Sequence, residues 1–213
     1  MKKLILFASF CILTFSVFAQ GETAKQIFKS PDLASFVLKT KTVAILPFKV
    51  SISYKKMPKG MTLDQIKENE IAESQQMQQG MFTYLLRKSD EYSVSFQEVD
   101  RTNALLKKAG VFNSLDEVTS DSLCKILNVD AVIKSSWNYA KTGSEAGAIA
   151  SALLLGFSKG TGSGQLVMQI NDKAEGKMMW RMSKEMNEGT FSSASELMER
   201  MMRKVGRVFP FEK

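Results

Sequence analysis

Residues 41–50 read "KTVAILPFKV", and the apolar run Val43 to Leu46 inside it sets the architecture of the chain. The stretch is rich in apolar and β-branched residues, long enough for a strand and too short for a helix. It does not alternate between apolar and polar positions, so neither face of the strand can look onto water. Such a strand belongs in the middle of a sheet. Pro47 has no N–H to give a neighbour and is expected to close the strand where it leaves the sheet.

The segments around it fit a layered chain. Residues 60–92, "GMTLDQIKENEIAESQQMQQGMFTYLLRKSDEY", carry the longest helical signal, opened by Thr62 and Gln65 at capping-box spacing. The glutamine-rich middle of this helix is weakly apolar and should face a polar neighbour or solvent. "YSVSFQEV" (92–99) alternates as a strand, and Asp100 stands where it would cap a short helix ending on Gly110. A second short helix at "SDSLCKILN" (120–128) leads into the strand "VDAVIKSSWNYA" (129–140). Residues 164–187 read as a hairpin turning at Asp172, Glu175 and Gly176, with Met178, Trp180 and Met182 on one face and Met179 on the other. The chain closes on an amphipathic helix over 193–209, whose apolar stripe holds Leu197, Met201, Val205 and Val208. Residues 20–40 form an N-terminal arm or short helix broken at Pro31. The expected fold is a single α/β sandwich over 41–213, a mixed sheet of about five strands with helices packed on it.

In order, Pro47-Phe48, Asp100-Arg101, Asp130-Ala131-Val132-Ile133, and Asp172, Gly176 and Trp180 make a pattern. Together they resemble the CsgG-like group of bacterial envelope proteins, which includes the curli-secretion channel and lipoprotein regulators of cell-wall synthases. The likeness covers residues 42 to 209. It implies an envelope α/β domain and supplies no catalytic residue. The matched residues also have plain structural duties: Asp100 as a cap, Gly176 in a turn that favours glycine, and Trp180 as core.

The first 19 residues have the parts of a secretory signal: Lys2 and Lys3, an apolar stretch to Phe18, and Val17-Phe18-Ala19 at the cut, placed after Ala19. Phe10 before Cys11 makes a poor lipid-attachment box, so the expected location is periplasmic or secreted. No transmembrane helix is expected in the mature chain. Removing Lys2 and Lys3 takes the net charge from +7 to +5, spread along the chain rather than gathered in a block. A nucleic-acid partner is not expected; an envelope protein, self-association or peripheral membrane contact is. Cys124 then stands without a disulfide partner and reads as a small buried hydrophobe.

The chain has no histidine, which removes Ser-His-Asp and Cys-His nucleophile activation and histidine-ligated metal. The carboxylate pairs Glu68/Glu70 and Asp116/Glu117 sit in polar helix or loop settings and read as solvated surface. The methionines read as flexible core filler rather than a thioether metal site. No cofactor, no metal and no catalytic residue are expected.

One segment stands apart: residues 143–164, "GSEAGAIASALLLGFSKGTGSG". Its apolar heart is short of the roughly 20 residues a membrane helix needs. Its glycines lead into a strand, whereas a phosphate loop leads into a helix, and it does not alternate like a barrel strand. It reads as an insertion, a short small-faced helix followed by flexible "SKGTGSG". Its candidate interaction surface is Ile149, Leu153, Leu154, Phe157 and Lys159. The functional expectation is therefore a non-enzymatic exported envelope protein, a binding or assembly module. An oligomeric outer-membrane channel component is the alternative, and a carboxylate-based enzyme a remote third.

Overall fold

The computed structural model describes residues 25–55, 57, 60–141, 162–188 and 194–213. Residues 1–19, expected to be a signal peptide, lie outside the described residues. Val43 to Leu46 behave as their sequence requires. The strand β2 (Thr42–Ile45) sits between β5 (Ala131–Lys141) and β4 (Ser95–Phe96) and is parallel to both. Val43 and Ile45 pack into one hydrophobic cluster, Ala44 and Leu46 into another on the opposite face.

Pro47 does not take the chain out of the sheet. The strand resumes as β3 (Lys49–Tyr54), still parallel to β5 but one residue out of step. Ile45 pairs with Ile133 and Lys49 with Ser136, so Leu46, Pro47 and Phe48 span what Lys134 and Ser135 span opposite. A proline has no N–H for the ladder, and a bulge is where a sheet can accept that loss. Val50, Ile52 and Tyr54 alternate towards the core in β3, while Lys49, Ser51 and Ser53 are exposed.

The hairpin closes the other side of β5. β6 (Gly162–Asp172) runs antiparallel to β5, and β7 (Met178–Glu188) antiparallel to β6. Gly162, Ser163 and Gly164, expected to belong to a flexible tether, are paired strand residues against Lys141, Ala140 and Tyr139. A bulge at Met179 lets Ile170 pair with Trp180 and Asn171 with Met178. Met178 thus lies on the face opposite Trp180, not beside it, because the bulge breaks the period of two. The N-terminal arm is also more ordered than expected. β1 (Gln26–Lys29) is an edge strand antiparallel to β7, followed by helix α1 (Leu33–Lys39). All four β1 residues are exposed, so no apolar pattern announced it.

The strand order is β1-β7-β6-β5-β2-β4, with β3 beside β5. Helices cover the two faces unequally. On one face, α2 (Leu63–Arg87) and α5 (Ala194–Gly206) enclose the larger core with Trp137, Leu166, Met168, Trp180 and Met182, and α1 adds Phe36 and Val37 at its margin. Met198, Met201 and Met202 are fully buried there as core filler. On the other face α3 (Val99–Lys108) and α4 (Ser120–Leu127) pack on Ala44, Leu46 and Val132, and α4 also reaches the end of β6, where Cys124 lies against the Asp172 carbonyl.

The polar middle of α2 has a partner: the strand edge left open by the Pro47 bulge. Glu70, Ser74 and Gln78 are four residues apart and share one helix face. Glu70 accepts the Ile52 N–H at 2.7 Å, the Ser74 hydroxyl donates to the Phe48 carbonyl at 2.5 Å, and the Gln78 amide donates to the Ile45 carbonyl at 2.7 Å. These side chains supply hydrogen bonds that a neighbouring strand would otherwise give. The Thr62–Gln65 capping box forms in both directions.

Candidate interaction surface

The family-like motif residues all resolve into structural devices. Phe48 is buried in the larger core, and so is Trp180. One oxygen of Asp130 accepts the N–H groups of Lys41 (3.0 Å) and Thr42 (3.1 Å), and the other pairs with the Lys173 ammonium. This carboxylate ties the start of β2 to the hairpin turn. Partial burial works against its ionisation, but Lys173 and the two backbone N–H groups hold it below the usual carboxylate range. Asp172 shapes the turn by accepting from Lys177 N (2.9 Å) and Glu175 N (3.2 Å), and Gly176 takes φ +68°. Asp100 is not a cap. Glu98 occupies the N-cap position of α3 without a side-chain cap bond, and Asp100 sits in the first turn, where a negative charge suits the helix N-terminus.

One member of each carboxylate pair weighed for chemistry is engaged in the same way. Glu70 belongs to the α2 latch, and Asp116 pairs with Lys49 at 2.5 Å. Cys124 is 1% exposed, and burial first, then the charges of Asp172, Asp121 and Asp130, push its thiol up to about 12. Among the described residues no group of three or more His, Cys, Asp or Glu could hold a metal ion.

What the fold leaves open is a surface. Beyond the reach of α3 and α4, the same sheet face continues over β3, β5, β6 and β7 with no helix on it among the described residues. The pairing register assembles rows across it: Ser51, Asn138, Gln165 and Glu185 in one, Lys134, Gln169 and Arg181 in another. Asn138, Gln165, Arg181 and Glu185 are exposed, and the Gln165 amide reaches the Ser183 hydroxyl at 3.2 Å. The face offers amides, hydroxyls and both signs of charge on a rigid ladder. Its rows come from strands distant in sequence, so local sequence patterns do not announce it.

The residues picked out from sequence, Ile149, Leu153, Leu154, Phe157 and Lys159, lie outside the described residues. The strands fix where their segment is rooted: it joins Lys141 to Gly162, the last β5–β6 pair. At that root the Lys141 ammonium lies 5.6 Å from the Tyr54 ring centre and 5.8 Å from that of Tyr139. Tyr139 stacks on Trp137 with centroids 6.0 Å apart. No helix among the described residues is long and apolar enough to cross a membrane.

The architecture is that of an α/β domain built on one open mixed sheet. No protein-family model and no curated protein matches the chain. Among solved structures it is similar to the lipoprotein GNA1162 from Neisseria meningitidis, at 16% identity and TM-score 0.46, covering 78% of this chain and 96% of that one. It is also similar to PelC from Paraburkholderia phytofirmans, described as a dodecamer, at 14% identity and TM-score 0.42, covering 89% and 96%. A third similar structure is the C-terminal domain of LpoB from Salmonella enterica, at 10% identity and TM-score 0.34, covering 73% and 93%.

Proposed function

We propose that this chain is a non-enzymatic, exported binding or assembly module of the cell envelope, and that it engages its partner through the helix-free sheet face. The observation that carries this reading is the unequal covering of the sheet. One face is sealed by α1, α2 and α5, while on the other α3 and α4 cover β2, the first part of β5 and the end of β6 beside the hairpin turn, and leave the rest open. A sheet face of amides, hydroxyls and mixed charges is stable in water, and it is a flat, pre-ordered surface for hydrogen bonding to another macromolecule. The export-type N-terminus supports a partner outside the cytoplasm, and the lack of histidine weighs against acyl-transfer chemistry.

The test places a photo-crosslinking residue at Asn138, Gln165 or Gln169, one at a time, in cells that express the full chain. Ala104, exposed on α3, serves as the control position. Discrete adducts from the three sheet positions, absent from position 104, are the expected outcome. Irradiation that yields no adduct at any sheet position overturns the reading.

A further inference from the structure

The two edges of the sheet are treated differently, and the difference points to a second copy of this chain. At one edge the bulged strand β2–β3 is closed by the two-residue β4 and by the α2 latch of Glu70, Ser74 and Gln78. At the other, β1 pairs with β7 on one side, and no described strand pairs with it on the other. An unpaired strand edge is a template for another strand, and proteins ordinarily shorten, twist or cover it.

The ladder shows which groups are offered. Ser30 donates its N–H to the Met179 carbonyl at 2.9 Å, so Ser30 turns inwards to β7. Antiparallel ladders alternate with a period of two. Gln26 and Phe28 therefore also turn inwards, and Ile27 and Lys29 direct their N–H and C=O groups away from the sheet. Beside this edge stand two of the exposed large apolar side chains, Ile27 at 39% and Phe28 at 46% exposure. They lie on opposite faces, because Ile27 pairs with the core residue Met182 and Phe28 with the exposed Arg181.

We propose that two copies associate edge to edge through antiparallel β1 strands, about a twofold axis at Phe28. This register is self-complementary. Ile27 of each copy exchanges both backbone hydrogen bonds with Lys29 of the other, which satisfies all four outward groups on each strand. The two Phe28 residues meet as a non-hydrogen-bonded pair, the arrangement that brings facing side chains closest. Lys29 falls opposite the aliphatic Ile27 and not opposite its own symmetry mate, so no like charges are directly paired. The interface is isologous, closes on itself and joins the two sheets into one. Phe28 borders the Arg181 row of the sheet face assigned above to partner binding, but the contact is made by the β1 edge and uses none of the crosslinking positions Asn138, Gln165 and Gln169, so either assignment can fail alone.

Two variants of the full exported chain test it. Ile27→Pro removes an outward N–H, along with the half-exposed isoleucine side chain, and takes no N–H that the β1–β7 ladder uses. Phe28→Cys puts two thiols across the twofold axis with Cα atoms about 4.5 Å apart, within the disulfide range of ~4.4–6.8 Å. The parent protein is expected to show a concentration-dependent dimer by sedimentation. Ile27→Pro should weaken that dimer at least tenfold while its circular dichroism, measured at a dilution where the parent is monomeric too, stays at the parent's values. Phe28→Cys should form a reducible covalent dimer on mild oxidation, at least tenfold faster than Gln169→Cys. The proposal is overturned by a parent that stays monomeric at high concentration, by a dimer indifferent to Ile27→Pro, or by Phe28→Cys crosslinking no faster than Gln169→Cys.

Discussion

The ring of Trp137 occupies the space that a side chain at residue 164 would need. A Cβ built on Gly164 would stand 2.2 Å from Cη2, 2.4 Å from Cζ2 and 2.8 Å from Cζ3 of the indole. Trp137 pairs directly with Leu166, so Gly164 is its diagonal neighbour on the same face of β6. The absent side chain lets the ring lie against the strand, and Tyr139 stacks behind it.

Gly164→Ala should therefore destabilise the protein although alanine is a better strand residue than glycine. The indole is fully buried, and moving it disturbs a packed core, which typically costs about 1–3 kcal/mol. Urea unfolding measures the loss as a lower midpoint at constant slope. Combining Gly164→Ala with Trp137→Leu should recover part of it, because the smaller side chain vacates the contested space.

The α2 latch makes a second prediction. Gln78 is completely buried; it donates to the Ile45 carbonyl and exchanges two hydrogen bonds of 3.0 Å with Asn103. Gln78→Leu fills the volume but leaves the Ile45 carbonyl and the Asn103 amide short of partners. A loss of about 1–3 kcal/mol is expected, the desolvation penalty of the orphaned groups. In a double-mutant cycle Asn103→Ala should add little to Gln78→Leu, since one exchange is lost either way.

The legible parts of the fold were those written in local chemistry. The unbroken Val43–Leu46 run announced a strand buried on both faces, Thr62 and Gln65 announced a cap, and Asp172 with Gly176 announced a turn. β3 was also legible, as Val50, Ile52 and Tyr54 at a period of two; taking Pro47 as an exit from the sheet hid it. β1 left no such trace, because the backbone ladder to β7 holds it rather than buried side chains. The Trp137–Gly164 contact and the Glu70–Ser74–Gln78 latch depend on register between distant segments, which local periodicity does not encode. The helix-free face belongs with these, since its rows exist only once four strands are aligned.

Acid should loosen the α4 end of the molecule. The Thr119 hydroxyl first, and then the Lys125 ammonium at 3.0 Å, hold Asp121 at about 2; Asp130 is lowered as well, against its partial burial, by Lys173 and two backbone N–H groups. Both folded values lie below the unfolded aspartate value of about 3.9, so the unfolded chain takes up protons first as the pH falls. The stabilisation they give is complete above that value and is lost as the pH drops towards about 2. Urea midpoints measured from pH 6 to pH 2 should be flat above pH ~5 and then decline. In the double variant Asp121→Asn, Asp130→Asn the midpoint should start lower at pH 6 and fall less steeply.

Cys124 should be chemically silent until the fold opens. Its side chain is 1% exposed between α4 and the sheet, with Sγ 3.8 Å from the Asp172 carbonyl. Burial, reinforced by nearby carboxylates, pushes the thiol up to about 12, so at pH 8 only about one molecule in ten thousand carries the reactive thiolate. Both access and ionisation oppose reaction, and unfolding relieves both together. An aromatic disulfide reagent at pH 8 should leave the peptide containing Cys124 unmodified in native protein and label it fully in denaturant. The labelling rate under weakly denaturing conditions should follow the population of unfolded chain, and Gly164→Ala should raise it in proportion to its loss of stability. Rapid labelling of the native protein at pH 8 would instead mean that α4 opens without unfolding the sheet.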